Sequence, residues 1–203
     1  MDKRASTAYP IHDLVAKRWS PRAFAPRPVD RESIGSLLEA ARWAPSCFNE
    51  QPWRFLVATQ EDAEGFERLA SCLMGGNAWA REAPVLLLSV ARLTFERNDK
   101  PNRHAWHDVG LATMSLVLQA QALGLVVHQM AGFEAAKAVE LLGLPAGFEP
   151  VTMIALGHSE DPASLPDELR ERELAPRSRK ALGEVAFGTG WERPLELGAS
   201  RSD

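Results

Sequence analysis

The stretch from residue 104 to residue 123 is the feature that most constrains how this chain can fold. It predicts one helix, on the order of 30 Å long at 1.5 Å per residue. The second half of the stretch, GLATMSLVLQAQAL, is apolar or small on nearly every face, which is typical of a helix buried all round. A chain of 203 residues suits one domain with such a helix at its centre, and a subunit interface would bury the second face equally well.

The rest of the chain predicts helices and strands arranged around that helix. The run PVLLLSVA at 84–91 is almost continuously apolar, as expected of a central strand covered on both faces. Asp30 is placed to cap a helix that Pro45 stops, and the pair Gly75-Gly76 is placed to end another. The class is α+β, with about four strands covered by helices. The other predicted helices span 11–18, 31–44, 61–73 and 134–144, and the other predicted strands span 53–59, 124–130 and 149–159.

Composition and charge narrow the classes of partner. A net charge of −4 and a sequence pI of about 5.8 argue against nucleic acid or an anionic membrane as the main partner. The cysteines are Cys47 and Cys72, so we expect reduced thiols in a cytoplasm rather than a disulfide framework. Neither a signal sequence nor an apolar stretch of membrane-spanning length is visible. We therefore expect a cytoplasmic protein with a single domain over 1–203.

The segment RWSPRAFAPRPV at 18–29 places cations close together in this acidic chain. Pro21 favours an extended backbone, and in an extended segment Arg18, Ser20 and Arg22 lie on one side. Two guanidinium groups and a hydroxyl on one side suit a phosphate, through charge-assisted hydrogen bonds. An exposed basic loop paired with surface carboxylates is the alternative, and this segment alone is compatible with both.

Other familiar sites are not indicated. His104, His107 and Asp108 lie within about one helical turn, but no partner motif such as H-E-x-x-H accompanies them, so we predict no metal. A solvated or substrate-facing entrance to the helix is the better interpretation. The sequence contains no G-x-G-x-x-G, Walker or G-x-S-x-G pattern, so we expect neither a Rossmann-type nicotinamide site nor a nucleophile elbow.

Five motifs follow one another along the chain. The first two are R-x-S-x-R-x-F and, after a helix, A-P-S-x-x-N-x-Q-P-W-x-F. The third is G-N-x-W-A-x-x-A-P-V-L, and ALGLVVHQMAGF and PRSR follow it. Together and in this order, the motifs resemble those of the nitroreductase family of flavoproteins, and the resemblance runs from about residue 14 to Trp191. The residues that match the first three motifs are Arg18, Ser20, Arg22, Phe24, Ala44, Pro45, Ser46, Asn49, Gln51, Pro52, Trp53, Phe55, Gly76, Asn77, Trp79, Ala80, Ala83, Pro84, Val85 and Leu86.

The resemblance implies an intertwined homodimer with one flavin mononucleotide (FMN) per subunit. The implied nitroreductase-like fold has a central, mostly antiparallel or mixed sheet flanked by helices, and a C-terminal arm at 176–203 that packs on the partner. Arg22 would lie near the N1 and C2 carbonyl edge of the flavin, where a cation raises the reduction potential. Gly132 would let the backbone approach flavin N5. The residues implied at the phosphate and polar edge are Arg18, Trp19, Ser20, Arg22, Arg177 and Arg179. Those implied at the ring are Asn77, Met130, Ala131 and Gly132, with Pro45, Ser46, Cys47 and Asn49 contributed by the partner subunit.

The implied activity is hydride transfer from NADH or NADPH, through flavin N5, to a small-molecule acceptor such as a nitroaromatic or a quinone, in ping-pong order. No catalytic side chain is implied, because the flavin carries the chemistry. A non-catalytic FMN-storage or sensing protein is an alternative, as is a related flavin enzyme such as a dehalogenase or an enone reductase. Cys47 stands where many relatives have Ala or Ser, either as an inert packed thiol or as one near the flavin. The charged stretch before Arg177 and Arg179 leaves their register open.

Overall fold

A four-stranded sheet forms the centre of the computed structural model, which describes residues 3–197. Its strands are β1 (Trp53–Thr59), β2 (Val85–Arg92), β3 (Val126–Met130) and β4 (Phe148–Gly157). They lie in the order β1-β2-β4-β3, and each neighbouring pair runs antiparallel. The predicted α+β class is confirmed, and the sheet of the described chain is antiparallel rather than mixed.

Helices flank this sheet. They are α1 (Asp13–Lys17), α2 (Arg31–Arg42), α3 (Ala63–Ala70), α4 (Ala105–Ala122), α5 (Ala135–Leu142) and α6 (Asp167–Leu174). The predicted cap of α2 is confirmed, because the Asp30 carboxylate accepts a hydrogen bond from the Ser33 N–H at 2.7 Å. The long central helix is confirmed as α4.

Both faces of the sheet are covered, which explains the continuous apolar run of β2. Val85 and Leu87 point into the core shared with α2 and α4. Leu86 and Leu88 point into the opposite core, which α3 and α5 help to form. Alternate residues of a strand face opposite sides, so a strand covered on both sides must be apolar at nearly every position.

Within the described chain, α4 is fully buried on one side only. Ala112, Leu116 and Ala120 are fully buried against the sheet. On the other side, Leu111 and Met114 are only half-buried. The helix therefore keeps an apolar second face that its own chain covers incompletely.

The predicted end of α3 at Gly75-Gly76 is wrong. The helix ends at Ala70, and the two glycines begin a 3₁₀ helix, Gly75–Glu82. The chain leaves α3 early because it joins the turn after β3. The Glu134 N–H donates to the Cys72 carbonyl at 2.8 Å. This long-range hydrogen bond takes the place of a further turn of helix.

The segment after β4 contains a helix that the sequence pattern did not indicate, α6, followed by an irregular tail. Large apolar side chains of the tail stay exposed, among them Val185 and Trp191, whereas Phe187 is half-buried and its ring lies 5.2 Å from that of Trp191. Residues 198–203 of the predicted arm lie outside the described residues. Across the described chain, no helix combines the length and hydropathy needed to cross a membrane.

Candidate functional site

The cationic segment at 18–22 is extended, as predicted. Arg18 has φ −63° and ψ 128°, so α1 ends before it and the following side chains alternate. Arg18 Nη1 lies 3.3 Å from Ser20 Oγ, which places both polar groups on the same side. His128 of β3 supports the segment from behind, because its Nδ1–H donates to the Pro21 carbonyl at 2.9 Å. The half-buried Trp19 carries the Lys3 ammonium 4.7 Å above its ring centroid.

The two arginines near the C-terminus converge on Arg18. Burial lowers the pKa of Arg18, and the neighbouring cations Arg177 and Arg179 lower it further. Burial and Arg179 lower the pKa of Arg177 in the same way. Arg177 Nη1 also donates to the carbonyls of Lys3 and Ala16, at 2.5 and 3.0 Å. The half-buried Arg18 and Arg177 and the exposed Arg179 therefore lie close enough to repel one another, an arrangement that a bound anion would relieve.

Arg22 is held in another way, by a buried acid. The N–H groups of Arg22 and Ala23 donate to the carboxylate of Glu173 over 2.9 to 3.3 Å. Arg22 Nη1 also lies 3.6 Å from Glu173 Oε2. On its other side, the Arg22 guanidinium lies 5.9 Å from the centre of the Trp79 ring, within the range of a cation–π contact. The structure thus adds Glu173 of α6 to the candidate site.

His128 is neutral at pH 7 in this setting. Burial lowers its pKa to about 4, the bond to the Pro21 carbonyl opposes this, and the cations Arg22 and Arg18 lower the pKa further. Its ring packs against Trp79 with 4.6 Å between centroids. A neutral imidazole can donate to Pro21 without adding a further positive charge behind the arginines.

The turn after β3 brings Asn77 and Gly132 together. Asn77 Nδ2 donates to the Gly132 carbonyl at 2.9 Å. A Cβ on Gly132 would lie 2.6 Å from that same nitrogen, so any larger residue would displace the amide. A glycine at this position therefore leaves the hydrogen bond of Asn77 undisturbed. Met130 is buried at the end of the strand, and Ala131 is exposed beside it.

The loop at 45–51, which contains the predicted partner contacts, is anchored on α4. The Cys47 N–H donates to Asp108 Oδ2 at 2.9 Å, and His107 Nδ1 lies 3.0 Å from Asp108 Oδ1. Ser46 Oγ accepts a hydrogen bond from the Gln51 N–H at 2.9 Å. Among the predicted residues here, Pro45 and Asn49 are exposed, and Ser46 and Cys47 are half-buried.

This loop also contains backbone strain. Phe48, Asn49 and Gln51 have φ values of 53°, 56° and 50°. Asn tolerates this left-handed region, but an aromatic residue such as Phe48 adopts it only where its surroundings hold it there. Such strain is frequent in ligand-binding segments.

The chain was compared with known protein families, curated proteins and solved structures. The profile described as "Nitroreductase family" matches residues 15–77 and 72–158. The chain belongs to the nitroreductase family. A crystal structure described as an oxidoreductase containing FMN aligns over 94% of this chain and 97% of its own, with a TM-score of 0.87 and 39% identity.

Two curated relatives are similar over about the same share of this nitroreductase-family chain. An "Uncharacterized 15.4 kDa protein in ask 5'region" of Mycolicibacterium smegmatis is 37% identical over 149 residues, which are 70% of this chain and 99% of the relative. A "Putative NADH dehydrogenase/NAD(P)H nitroreductase" of Archaeoglobus fulgidus is 29% identical over 154 residues, which are 73% of this chain and 84% of the relative.

A cavity of about 820 Å³ borders the site next to Arg22. It lies between the 3₁₀ helix Gly75–Glu82 and α6, and the aromatic rings of Phe24 and Trp79 form part of its wall. These rings stack in parallel with 6.3 Å between centroids. An apolar wall next to a guanidinium is suited to a flat aromatic molecule with a polar edge.

Sequence reasoning missed the buried acids that hold the site. Glu173 stands in the charged run DELREREL, where nothing distinguishes it from its exposed neighbours. Asp108 was noted only as part of a candidate metal group, and its contacts show instead that it anchors the loop at Cys47. Within residues 3–197, no group of three His, Cys, Asp or Glu side chains is arranged to hold a metal ion.

Proposed function

We propose that this nitroreductase-family protein is an FMN-dependent oxidoreductase linked to NADH or NADPH. The observation that carries the proposal is the cation cluster at the end of α1, where Arg18 lies beside Ser20, Arg177 is bonded to the Ala16 carbonyl, and Arg179 lies near both arginines. A solved structure that aligns over 94% of this chain is described as an oxidoreductase containing FMN, and one curated relative is described as a putative NADH dehydrogenase/NAD(P)H nitroreductase.

The donor set fits the phosphate of FMN. A phosphate group carries a charge near −2 and accepts several charged hydrogen bonds, which suits three guanidinium groups. Ser20 adds a hydroxyl on the same side as Arg18. The phosphate would offset the mutual repulsion of the arginines. The cluster is local, because the chain as a whole has a net charge of −4.

The residues beyond the phosphate site suit the flavin ring. We assign Arg22 to its N1 and C2 carbonyl edge, Asn77 to its pyrimidine side, and the turn Met130–Ala131–Gly132 to the region of N5. FMN, when bound, accepts a hydride at N5 and passes it to the second substrate. The protein residues bind and orient it, and Arg22 places a positive charge where reduction adds negative charge. The proposed acceptors are nitroaromatics or quinones.

The test of the phosphate assignment is Arg18→Ala. It should weaken FMN binding by about 1.5 to 3 kcal/mol, the scale of a hydrogen bond to a charged group. Arg27→Ala is the matched control, because Arg27 belongs to the same sequence segment but is exposed. Fluorescence titration of the apoprotein with FMN measures both. Purified protein that contains no FMN and takes up none would contradict the proposed function.

Catalysis is tested by anaerobic addition of NADH or NADPH to the yellow protein. Bleaching of the flavin band is expected of the oxidoreductase, whereas an FMN-storage or sensing protein would keep its colour. With an acceptor present, initial rates should give parallel double-reciprocal lines, because one pocket serves both substrates in turn. Intersecting lines would indicate a ternary complex and a separate nicotinamide site.

We further propose that the protein acts as a homodimer. The second face of α4 is half-covered by its own chain, and the tail exposes Leu182, Val185 and Trp191. A second chain would bury both regions, and an obligate interface of this kind typically exceeds ~2,000 Å². Truncation after Lys180 should reduce dimer stability and FMN content together. Light scattering coupled to size exclusion tests this, and an FMN-containing monomer at micromolar concentration would contradict it.

A further inference from the structure

Glu173 is a buried acid at the centre of the contacts between the two ends of the chain. Its side chain is 1% exposed, although it stands among exposed charged residues of α6. It lies 151 positions from Arg22 and accepts hydrogen bonds from the N–H groups of Arg22 and Ala23. A carboxylate in such a place needs both hydrogen bonds and a cation, because an isolated buried charge is strongly unfavourable.

Arg22 supplies that cation. Its Nη1 lies 3.6 Å from Glu173 Oε2, so the acid and the guanidinium form an ion pair. Lys3 fixes the same end of α6, because its Nζ donates to the carbonyls of Glu173 and Ala175, each at 2.6 Å. The position of Arg22 is therefore set through its backbone and its side chain by one carboxylate.

The ion pair also has an electrical effect. A carboxylate next to a guanidinium reduces the positive potential that the cation exerts on a third group nearby. A carboxylate whose charge did not reach the polar edge of the ligand would act only on the backbone of Arg22 and Ala23, and its replacement by a neutral residue of the same shape would leave the potential at the ligand unchanged. Charge and shape are thus separable by experiment.

We propose that Glu173 is a positioning residue that fixes Arg22 and partly offsets its charge at the polar edge of the flavin. This rests on the proposed function, because it requires FMN to bind with its N1 edge near Arg22. Glu173 then keeps the bound flavin harder to reduce than Arg22 alone would make it. The ion pair adjusts the driving force for reduction by NADH or NADPH, and Glu173 itself takes no part in hydride transfer.

The experiment compares the two-electron reduction potential of FMN bound to the wild type and to Glu173→Gln, by equilibration with a reference dye. The substitution removes the charge at nearly constant shape. It should raise the equilibrium constant for reduction roughly tenfold, the order expected for one unit charge about 10 Å away at an effective dielectric constant of about 20. For a two-electron couple, a tenfold change is about 30 mV. Glu171→Gln, an exposed acid on the same helix, is the matched control and should shift the constant less than about twofold, because exposed charges are screened.

The outcomes separate the two proposals. A wild-type protein that binds no FMN would overturn the proposed function and this inference with it. A holoprotein in which Glu173→Gln shifts the potential no more than Glu171→Gln, or lowers it, would overturn the inference alone.

A second comparison applies if the protein with the single substitution Glu173→Gln does not fold. Arg22→Met breaks the ion pair of the buried carboxylate and leaves it the Lys3 ammonium as a neighbouring cation, so Arg22→Met/Glu173→Gln should melt at a higher temperature than Arg22→Met. Thermal unfolding of the two apoproteins measures this. A double variant that is no more stable than Arg22→Met would overturn the pairing.

Discussion

Two irregular segments of this molecule, 18–23 and 45–51, are held by the same kind of contact. In each, backbone N–H donates to a buried carboxylate distant in sequence, from two residues in the first segment and from Cys47 in the second. Glu173 of α6 holds the first segment, and Asp108 of α4 holds the second. A segment without helix or sheet hydrogen bonds needs other acceptors, and a carboxylate is a strong one.

The segments differ in the side chain that lies next to the carboxylate. Glu173 faces the guanidinium of a proposed flavin-binding arginine, Arg22, whereas Asp108 faces the exposed ring of His107. The second segment contains residues with a strained backbone, such as Phe48, whereas the first is held by the ion pair between Arg22 and Glu173. The comparison indicates that the first acid controls both position and electrostatics, and that the second controls shape.

The largest effect should come from Glu173→Ala. Removing the acid leaves two N–H groups without an acceptor and Arg22 without its ion pair, so the free energy of unfolding should fall by about 3 to 5 kcal/mol. Chemical denaturation measures it. Glu171→Ala is the control and should change stability by less than about 0.5 kcal/mol. If the two variants lose similar stability, Glu173 does not hold the segment.

Acid should weaken the first segment through His128. Its pKa is lowered to about 4 in the folded protein, mainly by burial, so below pH 6.5 the unfolded chain takes up a proton that the folded protein does not. The neutral ring contributes about 3 kcal/mol to the free energy of unfolding above pH 6.5. This contribution falls as the pH drops below 6.5 and is lost once the pH has fallen through 4. Denaturation of the wild type and His128→Gln at a series of pH values tests this. Equal slopes for the two proteins between pH 6.5 and 4 would exclude His128 as the cause.

Asp108→Ala should have a smaller effect than Glu173→Ala. It removes the acceptor of the Cys47 N–H but no ion pair with an arginine, so we expect a loss of about 1.5 to 3 kcal/mol. His107→Ala is the control, because its ring is exposed and its loss should be near neutral. Chemical denaturation again gives the result. If His107→Ala lowers the free energy of unfolding as much as Asp108→Ala does, Asp108 stabilises the protein through His107 and not through the Cys47 N–H.

Gly132→Ala should have the smallest effect, about 1 kcal/mol of stability, because the new methyl group displaces the amide of Asn77 and its hydrogen bond. In the background Asn77→Ala the same substitution should be almost neutral, since the two residues are coupled. The measurement is a double-mutant cycle on unfolding, with FMN affinity followed in parallel. A full additional loss of FMN affinity in the Asn77→Ala background would show that Gly132 serves the ligand directly.

Much of the fold was predictable from the sequence, because local patterns determine it. The bounds of β1 match the prediction at both ends, and the cap at Asp30 and the long helix α4 are confirmed. Each depends on residues within one element or beside it. A prediction from the local sequence pattern fails where a distant contact competes with it. An example is the end of α3, where the chain turns and forms a hydrogen bond with the segment after β3.

The candidate site was predictable only for the residues in its motifs. The alternation at Arg18 and Ser20 placed their side chains together correctly. Glu173 could not be found in this way, because α6 is charged on every side and its one buried acid is selected by partners about 150 positions earlier in the chain. A buried acid among exposed ones leaves no periodic pattern.

The most direct test of the proposed phosphate site compares FMN with riboflavin, which has the same ring and no phosphate. Isothermal titration of the apoprotein should give a dissociation constant roughly 100-fold or more lower for FMN, since several charged hydrogen bonds depend on the phosphate. Arg177→Ala should weaken FMN binding and leave riboflavin binding unchanged. Equal dissociation constants for the two flavins in the wild-type protein would contradict a phosphate site built from Arg18, Arg177 and Arg179.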